Sequence, residues 1–583
     1  MITLTSTKPN SNLFIQGKPE RMSITLERDA GVHWFVKDIY GQVLASGNLA
    51  MSQGQEQSVA LGTSKLGWFC FTAECADTTA TRAYGVVHDP AHRRANGMYE
   101  WSFKDGKAEH KGENIDRDIF FGIWNAPGHL MQDGVDISRY LGTAMSTAAP
   151  YAWHCFMTPP ITTHDLNSPL VPGRTTDFEQ LENLATPGHK HELWGQTVYA
   201  GHLLREHQYR LLEMTCYFAH EFRVYPGKGA YGGMLNQEGE RQLDLYMRYM
   251  ARVHINQAPI RPYHYYLVLW EPNHQWEAWC PAGEEGIKSI VRAHEIAYKA
   301  IHEEYAAAGM PKKAVVLGPN SSTFYPDWHQ ELFDAGLAGF IDGLTTHSYF
   351  ENPDDSKYVS LIRTLKSMAQ TAWDKRTDKK HDRFFFFATE EGYRNGTDEV
   401  QMQALTRHML TMLGEGFDHY QMFIYSDGAP GEAGRMGLFY NLETEPYRPK
   451  FVAPKPVATA FSVASFLLTG YKSLGNLPLT GASMGYAYSN GDDVKLAVWN
   501  YAGTAKVRIK TDRSQAIVYD IMGNGTTVDC PEGWLAINLS ENVQYICGVE
   551  LPFEEIEAEV ISETVMDFNE DVILTREQTG MEI

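Results

Sequence analysis

The sequence is poor in cysteine and shows no disulfide pattern. Seven cysteines are spread over 583 residues, an odd number without a CxxC pair or the spacing of metal ligands. We therefore expect mostly buried free thiols and neither a disulfide framework nor a structural metal site. The cysteines are Cys70, Cys75, Cys155, Cys216, Cys280, Cys530 and Cys547.

Long apolar runs are also missing. No stretch reaches the roughly 20 apolar residues of a membrane span. Residues 1–14 lack the basic and then apolar order of a secretory signal. We expect a soluble protein with no signal peptide in the chain as given, which is cytoplasmic, or secreted or periplasmic if a signal was trimmed.

Positive charge is scarce, because 50 Lys and Arg stand against 72 Asp and Glu, for a net charge of −22. This acidity argues against a nucleic acid or a membrane as partner. Cofactor motifs are missing too. No GxGxxG or phosphate-binding loop precedes a helix, and His189, His191 and Glu192 lack the HExxH spacing. We predict no cofactor and no catalytic metal. The sequence does not decide between a monomer and a homo-oligomer.

What the sequence does contain is three successive patterns. The first and third consist of short alternating apolar runs broken by turn residues, which is typical of β-sandwiches. In the second, short apolar strands alternate with amphipathic segments, which is typical of a parallel sheet covered by helices. The last 31 residues hold ten acidic side chains and one arginine. They predict a solvated arm, with docking on a basic patch as the alternative. The predicted domains are a β-sandwich (1–112), an α/β barrel (113–465), a second β-sandwich (466–552) and an acidic tail (553–583).

The middle region offers eight candidate strands, the number that a closed (β/α)8 TIM barrel needs. The predicted fold is therefore an α/β barrel flanked by two β-sandwiches. The candidate strands cover residues 118–124, 151–157, 210–218, 264–270, 314–318, 340–347, 383–390 and 420–426.

Two of these strands end in glutamate. Glu271 follows YYLVLW and precedes Pro272, and Glu390 follows FFFFAT. In a parallel barrel the reactive side chains lie at the carboxyl ends of strands, and a carboxylate next to so apolar a strand needs a partner or a task. Separate salt bridges at the barrel rim are the structural alternative. Cleavage of a glycosidic bond also needs two carboxyl groups, and two that face each other across a barrel mouth would provide them.

These motifs resemble clan A of the glycoside hydrolases, nearest to family 39, the β-xylosidases and α-L-iduronidases. In that group strand four usually ends in Asn-Glu-Pro and strand seven in Thr-Glu-x-Gly. The resemblance implies that Glu271 is the acid/base and Glu390 the nucleophile. It also implies that an aromatic hydroxyl after strand six bonds the nucleophile, a part that Tyr349 in THSYF takes, with His347 beside it.

The sequence departs from the clan at one position. Where the clan has asparagine before the acid/base, this chain has Trp270. That asparagine normally bonds the sugar 2-hydroxyl. Three alternatives follow: Asn273 or another polar group substitutes, the substrate lacks this contact, or the family is a distant one.

Aromatic side chains are dense around the predicted barrel mouth, where flat rings suit the C–H faces of sugars. Each of them could instead be part of the core. His154, at the end of predicted strand two, could bond a hydroxyl or be structural. The predicted substrate-binding residues are Trp124, Asn125, His154, Trp270, Asn273, Trp276, His347, Tyr349 and Tyr425.

The predicted function is a retaining glycoside hydrolase that cleaves a β-type glycosidic bond of an oligo- or polysaccharide by double displacement. Retention requires carboxyl groups about 5–5.5 Å apart, and inversion about 6.5–9.5 Å. Glu391 is the alternative nucleophile, since adjacent residues of a strand point to opposite sides. The alternatives are a non-catalytic carbohydrate-binding protein on a degenerate barrel and a transglycosylase that uses the same residues. The sequence leaves open the sugar, its linkage, and endo or exo action.

Overall fold

The structure is a computed structural model, and it describes most of the chain outside the segment that leads to the third barrel strand. Apart from a few isolated positions, the described residues are 1–92, 101–104, 107–110, 119–124, 133–148, 209–213, 234–257, 263–273, 283–349, 354–428, 435–443 and 450–565.

The N-terminal region consists of two sheets that share one hydrophobic core. A three-stranded sheet has the order β1-β3-β6, and a five-stranded sheet has the order β2-β8-β7-β4-β5. Buried and exposed residues alternate along Ile2–Ser6, as expected for a strand with one face on a core. The strands are β1 Ile2–Ser6, β2 Leu13–Ile15, β3 Glu20–Leu26, β4 Ala30–Asp38, β5 Val43–Met51, β6 Glu56–Leu61, β7 Gly67–Cys75 and β8 Thr78–Val87. A separate hairpin follows, with β9 Trp101–Lys104 and β10 Lys107–His110.

Eight parallel strands form the central sheet, and its first and last members pair with each other, so the sheet closes into a barrel. The predicted α/β class is confirmed. Their inward side chains include Phe385 and Phe387, which pack on Tyr265 and Leu317 inside the barrel. The strands are β11 Phe121–Ile123, β12 Met145–Ala148, β13 Tyr209–Glu213, β14 His264–Leu267, β15 Ala314–Ser321, β16 Gly343–Thr346, β17 Phe385–Glu391 and β18 His419–Met422.

The second barrel strand lies elsewhere than predicted. The structure has it at Met145–Ala148, paired with β11 at Gly122 and with β13 over its whole length. The predicted segment 151–157 lies outside the described residues. Met-Ser-Thr-Ala has a single large apolar side chain, so its hydrophobic pattern is too weak to indicate a strand. The other seven predicted strands overlap β11 and β13 to β18.

Helices follow barrel strands in the described part of the chain, and their apolar faces cover the barrel. In the helix after β14, Ile287, Ile290 and Ile301 are buried, which matches the spacing of three and four that predicted it. Two short strands, β19 Phe439–Asn441 and β20 Val452–Pro454, precede the last helix. The helices are α1 Ile137–Leu141, α2 Gln237–Gln257, α3 Glu284–Ala307, α4 Pro326–Asp334, α5 Ser356–Asp374, α6 Asp398–Gly414 and α7 Pro456–Leu468.

The C-terminal region again consists of two sheets around a separate core. A six-stranded sheet has the order β21-β22-β23-β28-β25-β26, and a three-stranded sheet has the order β27-β24-β29. The strands are β21 Lys472–Asn476, β22 Ser483–Ser489, β23 Val494–Asn500, β24 Gly503–Lys510, β25 Gln515–Tyr519, β26 Gly525–Asp529, β27 Trp534–Leu539, β28 Gln544–Cys547 and β29 Ala558–Val565.

Part of the expected solvated arm is a strand of this region. The strand β29 pairs with β24 along its length. Two acidic residues of this segment meet basic partners on β24: Glu559 of β29 pairs with Arg508, and Glu557, just before β29, pairs with Lys510. Residues 558–565 of the expected arm thus form part of a sheet, and the two ion pairs offset some of the repulsion between the acidic residues.

The barrel is joined to the C-terminal region by a buried polar cluster. Asp354 accepts from the guanidinium of Arg407 at 2.8 Å and from the indole nitrogen of Trp499 at 2.8 Å. Arg407 also donates to the backbone oxygen of Glu541 at 2.9 Å. Charged hydrogen bonds of this kind hold two surfaces in one register. Helix α6, which follows the strand of Glu390, is thus held in place from outside.

Two further features agree with the composition. The four cysteines in the described residues are free, with Cys75 and Cys530 buried and Cys70 and Cys547 half-buried. In the same part of the chain, no helix combines the length and the apolar character needed to cross a bilayer.

Candidate active site

Two buried glutamates stand at the carboxyl ends of strands four and seven. Glu271 follows β14 with a backbone φ of 42°, and its backbone nitrogen donates to the backbone oxygen of Asn320 at 3.0 Å. Glu390 belongs to β17. The exposed fractions of Glu271 and Glu390 are 7% and 3%. Burial of two carboxyl groups requires partners, and the neighbouring strand supplies them.

His347 lies between the two glutamates. Its Nδ1 is 2.6 Å from Oε1 of Glu271 and 2.9 Å from Oε2 of Glu390. The residue follows β16, and its backbone nitrogen donates to Ser321 at the end of β15. The nearest carboxylate oxygens and the imidazole nitrogen all lie within 4.8 Å of one another. The two glutamates predicted to act together therefore face each other in one site.

The charges of this cluster are coupled. Burial alone would lower the pKa of His347, but the carboxylates of Glu390 and Glu271 outweigh burial and raise this pKa well above its usual value. Burial raises the pKa of Glu390, and His347 opposes that rise. An imidazolium at His347 thus compensates negative charge that the apolar surroundings would not otherwise tolerate.

Tyr349 contacts the second glutamate. Its hydroxyl donates to Oε2 of Glu390 at 3.2 Å. Burial, followed by the charges of Glu390 and Glu271, raises the pKa of Tyr349 well above its usual value, so the hydroxyl keeps its proton and remains a donor. The geometry is the one that the resemblance implies for this aromatic hydroxyl.

Glu391 points away from this cluster. Its Oε1 accepts from the backbone nitrogen of Ser348 at 3.0 Å and from the Ser348 hydroxyl at 2.5 Å. Burial raises its pKa to about 8. Burial also lowers the pKa of His408, whose Nδ1 is 3.9 Å from Glu391. Both groups are therefore neutral near pH 7, and their contact is not an ion pair.

The substitution Glu391→Gln should weaken the pH dependence of stability. The pKa of Glu391 is about 8 in the folded chain against an ordinary 4.5. Between these values the unfolded chain releases a proton that the folded chain keeps, so the free energy of unfolding falls as pH rises. In the variant this fall should be smaller, by on the order of 4 kcal/mol at most.

Urea unfolding at about pH 5 and about pH 8 measures the effect, and the exposed Glu285 provides a control, Glu285→Gln. An equal pH dependence in wild type, Glu285→Gln and Glu391→Gln would contradict the assignment of a neutral Glu391.

Other predicted site residues have varied surroundings. The Trp270 ring is 6.4 Å from the His347 ring, and its indole nitrogen is buried without a hydrogen-bond partner in the described part of the chain. Trp124 packs on Phe423, which in turn packs on Tyr349. Tyr425 is buried, and its backbone nitrogen donates to Trp124. Asn125, His154 and Trp276 lie outside the described residues.

Asn273 is committed to a loop contact. Its side-chain nitrogen donates to the Ser322 hydroxyl at 3.0 Å, and its side-chain oxygen accepts from the Ser322 backbone nitrogen at 3.0 Å. Both ends of the amide therefore tie the segment after β14 to the segment after β15.

A cluster of polar residues that the sequence analysis missed lies next to the glutamates. The Asn320 side-chain oxygen accepts from the hydroxyls of Thr345 and Thr389 at 3.2 and 2.8 Å. Gln421 donates to the backbone oxygen of Thr389 at 2.9 Å. The sequence feature that identified the glutamates also applies to Asn320. It is a polar residue where the apolar strand AVVLGPN ends.

Among the described residues, Glu271, His347 and Glu390 are spaced closely enough to bind a cation, with one ligand atom from each. Two carboxylates and an imidazole are common ligands of transition metals. In the structure the atoms that would bind a cation instead contact one another, since Nδ1 of His347 contacts an oxygen of each glutamate. The expected absence of a catalytic metal stays a prediction.

Comparison with known proteins gives a match at the level of structure. No protein-family model matches the sequence, and no curated protein matches it. The structure is similar to that of a family 39 glycoside hydrolase from the gut symbiont Bacteroides cellulosilyticus WH2, with a TM-score of 0.62, 17% identity, and coverage of 94% of this chain and 100% of that one. Two family 30 xylanases align less well. Xyn30A of Clostridium acetobutylicum has a TM-score of 0.46 and 11% identity, with coverage of 74% of this chain and 96% of that one. Xylanase C of Talaromyces cellulolyticus has a TM-score of 0.46 and 12% identity, with the same coverage of 74% and 96%. The first match confirms the predicted resemblance at the level of the fold.

Proposed function

We propose that this chain, which shares the fold of a family 39 glycoside hydrolase, is a retaining glycoside hydrolase acting on a β-type glycosidic bond of an oligo- or polysaccharide. The observation that carries the proposal is the meeting of Glu271 and Glu390 at His347, with their nearest oxygens within 4.8 Å. Two buried carboxyl groups at this distance on opposite strand ends are the arrangement that glycoside cleavage by double displacement needs.

Glu390 acts as the nucleophile in this proposal. Its Oε2 is held by His347 and Tyr349, while Oε1 is buried without a hydrogen-bond partner in the described residues. The lone pairs of Oε1 are therefore open for attack on the anomeric carbon. A bond forms between Oε1 and this carbon as the bond to the leaving oxygen breaks.

Glu271 acts as the acid and then as the base. It gives its proton to the leaving oxygen in the first step. In the second step it takes a proton from water, whose oxygen attacks the anomeric carbon and releases Glu390. The contact with His347 allows charge to redistribute as Glu271 changes its protonation state.

The separation of the carboxyl groups supports retention of configuration. Both glutamates contact the same imidazole nitrogen, at 2.6 and 2.9 Å, and their nearest oxygens lie within 4.8 Å. An inverting enzyme needs about 6.5–9.5 Å between its carboxyl groups to admit a water molecule beside the sugar. The nearest oxygens lie closer than that range, which favours retention.

The remaining assignments extend this proposal. We assign a complete (β/α)8 barrel with a β-sandwich on either side, because eight parallel strands close the sheet and paired sheets precede and follow it. The aromatic residues Trp124, Trp270 and Trp276 would supply apolar platforms for sugar rings. Asn125, His154 and Tyr425 complete the predicted substrate contacts.

Hydrolysis of a panel of aryl β-glycosides tests the function. The panel contains xyloside, galactoside, glucoside, mannoside and glucuronide. We expect wild type to cleave at least one member, to release the β-anomer first in an NMR time course, and to keep its activity in EDTA. An α-anomer as first product would contradict retention, and loss of activity in EDTA would contradict the predicted absence of a metal.

The same panel separates the alternatives. Transfer of the sugar to an added alcohol in preference to water indicates a transglycosylase. Sugar binding with no cleavage of aryl glycosides or oligosaccharides indicates a non-catalytic binding protein and would contradict the proposal.

A further inference from the structure

The asparagine expected before the acid/base is missing from this sequence, and the nearest asparagine along the chain already uses its side chain in other hydrogen bonds. Trp270 takes the place of that asparagine. Asn273 uses both ends of its amide on Ser322. Among the described residues, a further polar residue beside Glu271 belongs to the neighbouring strand β15.

Asn320 lies at the end of β15, next to Glu271, and its amide nitrogen, Nδ2, has no hydrogen-bond partner among the described residues. The residue is 0% exposed. A buried, unsatisfied amide is costly, so each case in a native structure calls for an explanation. The other polar atoms of Asn320 are paired, because Oδ1 accepts from Thr345 and Thr389 and the backbone oxygen accepts from Glu271.

The contacts of its other polar atoms place Asn320 beside both candidate catalytic residues. The backbone of Asn320 bonds the backbone of Glu271, and Thr389, which bonds the Asn320 side chain, directly precedes Glu390. Asn320 has a φ of 59° and Glu271 a φ of 42°. Two neighbouring residues in the left-handed region, of which asparagine is the more tolerant, are typical of a site where geometry is held for function.

We propose that Nδ2 of Asn320 donates a hydrogen bond to the 2-hydroxyl of the sugar bound between Glu271 and Glu390. This inference rests on the proposed function and deepens it. It assigns the substrate to sugars with a free hydroxyl next to the anomeric carbon, and excludes 2-deoxy and 2-acylamino sugars as good substrates. The amide is held by two threonine hydroxyls before substrate arrives, so its direction requires no reorganisation in the transition state.

The test compares the aryl glycoside that wild type cleaves fastest with its 2-deoxy analogue. The measured quantity is the ratio of the two kcat/KM values, in wild type and in two variants. Asn320→Asp keeps the oxygen that the threonines bond and removes the amide donor. Asn320→Gly removes the side chain at a φ that glycine adopts freely. We expect the ratio of parent to 2-deoxy substrate to fall about 100-fold in both variants, the effect of losing one preorganised donor.

Asn273→Ala is the matched control, because it removes an amide near the same strand ends. Its ratio should equal that of wild type, whatever its absolute rate. Circular dichroism and thermal unfolding check that each variant is folded.

Unchanged ratios in folded Asn320 variants would overturn the inference and leave the proposed function intact. So would a ratio that falls in Asn273→Ala instead. A wild type that cleaves the 2-deoxy glycoside as fast as its parent overturns the inference without any variant. If wild type cleaves no glycoside at all, the proposed function fails first and this inference with it.

Discussion

Replacement of Glu390 by alanine should lower kcat roughly 10⁴-fold or more, because under the proposed mechanism it removes the group that forms the covalent intermediate. The alanine leaves a space beside His347 and Tyr349, whose donors then lack the carboxylate oxygen they contact in wild type. Azide can occupy such a space and attack the anomeric carbon directly. We therefore expect azide to restore cleavage of an activated aryl glycoside and to give the α-glycosyl azide, which NMR identifies.

The matched control is the adjacent residue. Glu391 is also a fully buried glutamate on β17, but its side chain bonds Ser348 and does not contact Glu271 or His347 in the described structure. In Glu391→Ala, azide should neither raise the rate nor give the α-azide. If azide instead rescues Glu391→Ala with inversion and leaves Glu390→Ala inactive, the two glutamates exchange roles.

The contrast between these neighbours indicates what sequence alone can predict here. Strand alternation predicts that Glu390 and Glu391 face opposite sides, and it does not say which one faces the barrel axis. The Thr-Glu-x-Gly resemblance selected Glu390. In the structure the selection has a physical basis, since Glu390 meets His347 and Tyr349 while Glu391 meets Ser348 and helix α6.

Strand positions were predictable where apolar runs are long. The apolar runs before the two glutamates both form buried strands: β17 runs from Phe385 through Glu391, and β14 ends at Leu267, shortly before Glu271. Met145–Ala148 carries one large apolar residue, so its place in the barrel depends on pairing with strands distant in sequence. Local periodicity holds no information of that kind.

The acidic C-terminus shows the same limit. Ten acidic residues predict a solvated arm by composition. The cross-strand partners of Glu557 and Glu559 are 47 and 51 residues away along the chain, so neither ion pair could be read from local sequence. Asn320 stands where an apolar strand ends in the sequence, but its place beside both glutamates follows only from its contacts with Glu271 and Thr389.

The second large effect concerns Glu271. In Glu271→Ala the first step loses its acid, which matters little for an aryl leaving group of low pKa and much for an alkyl or sugar alcohol. The second step loses its base with every substrate. For an activated aryl glycoside we expect kcat to fall about 10²- to 10⁴-fold and KM to fall with it, because the glycosyl-enzyme accumulates. For an oligosaccharide the loss of kcat/KM should be far larger than for the aryl glycoside.

Azide separates this role from that of Glu390. In Glu271→Ala the covalent intermediate still forms on Glu390, and azide, which needs no base, should attack it and give the β-glycosyl azide. Opposite anomers from the two variants would assign both roles from one pair of experiments. The same anomer from both, or equal losses of kcat/KM for activated and unactivated substrates in Glu271→Ala, would contradict the acid/base role. The cluster supports the expected outcome, because His347 contacts both glutamates through one nitrogen while Tyr349 bonds Glu390. Loss of Glu271 thus leaves Glu390 its two donors, whereas loss of Glu390 leaves no carboxylate to attack.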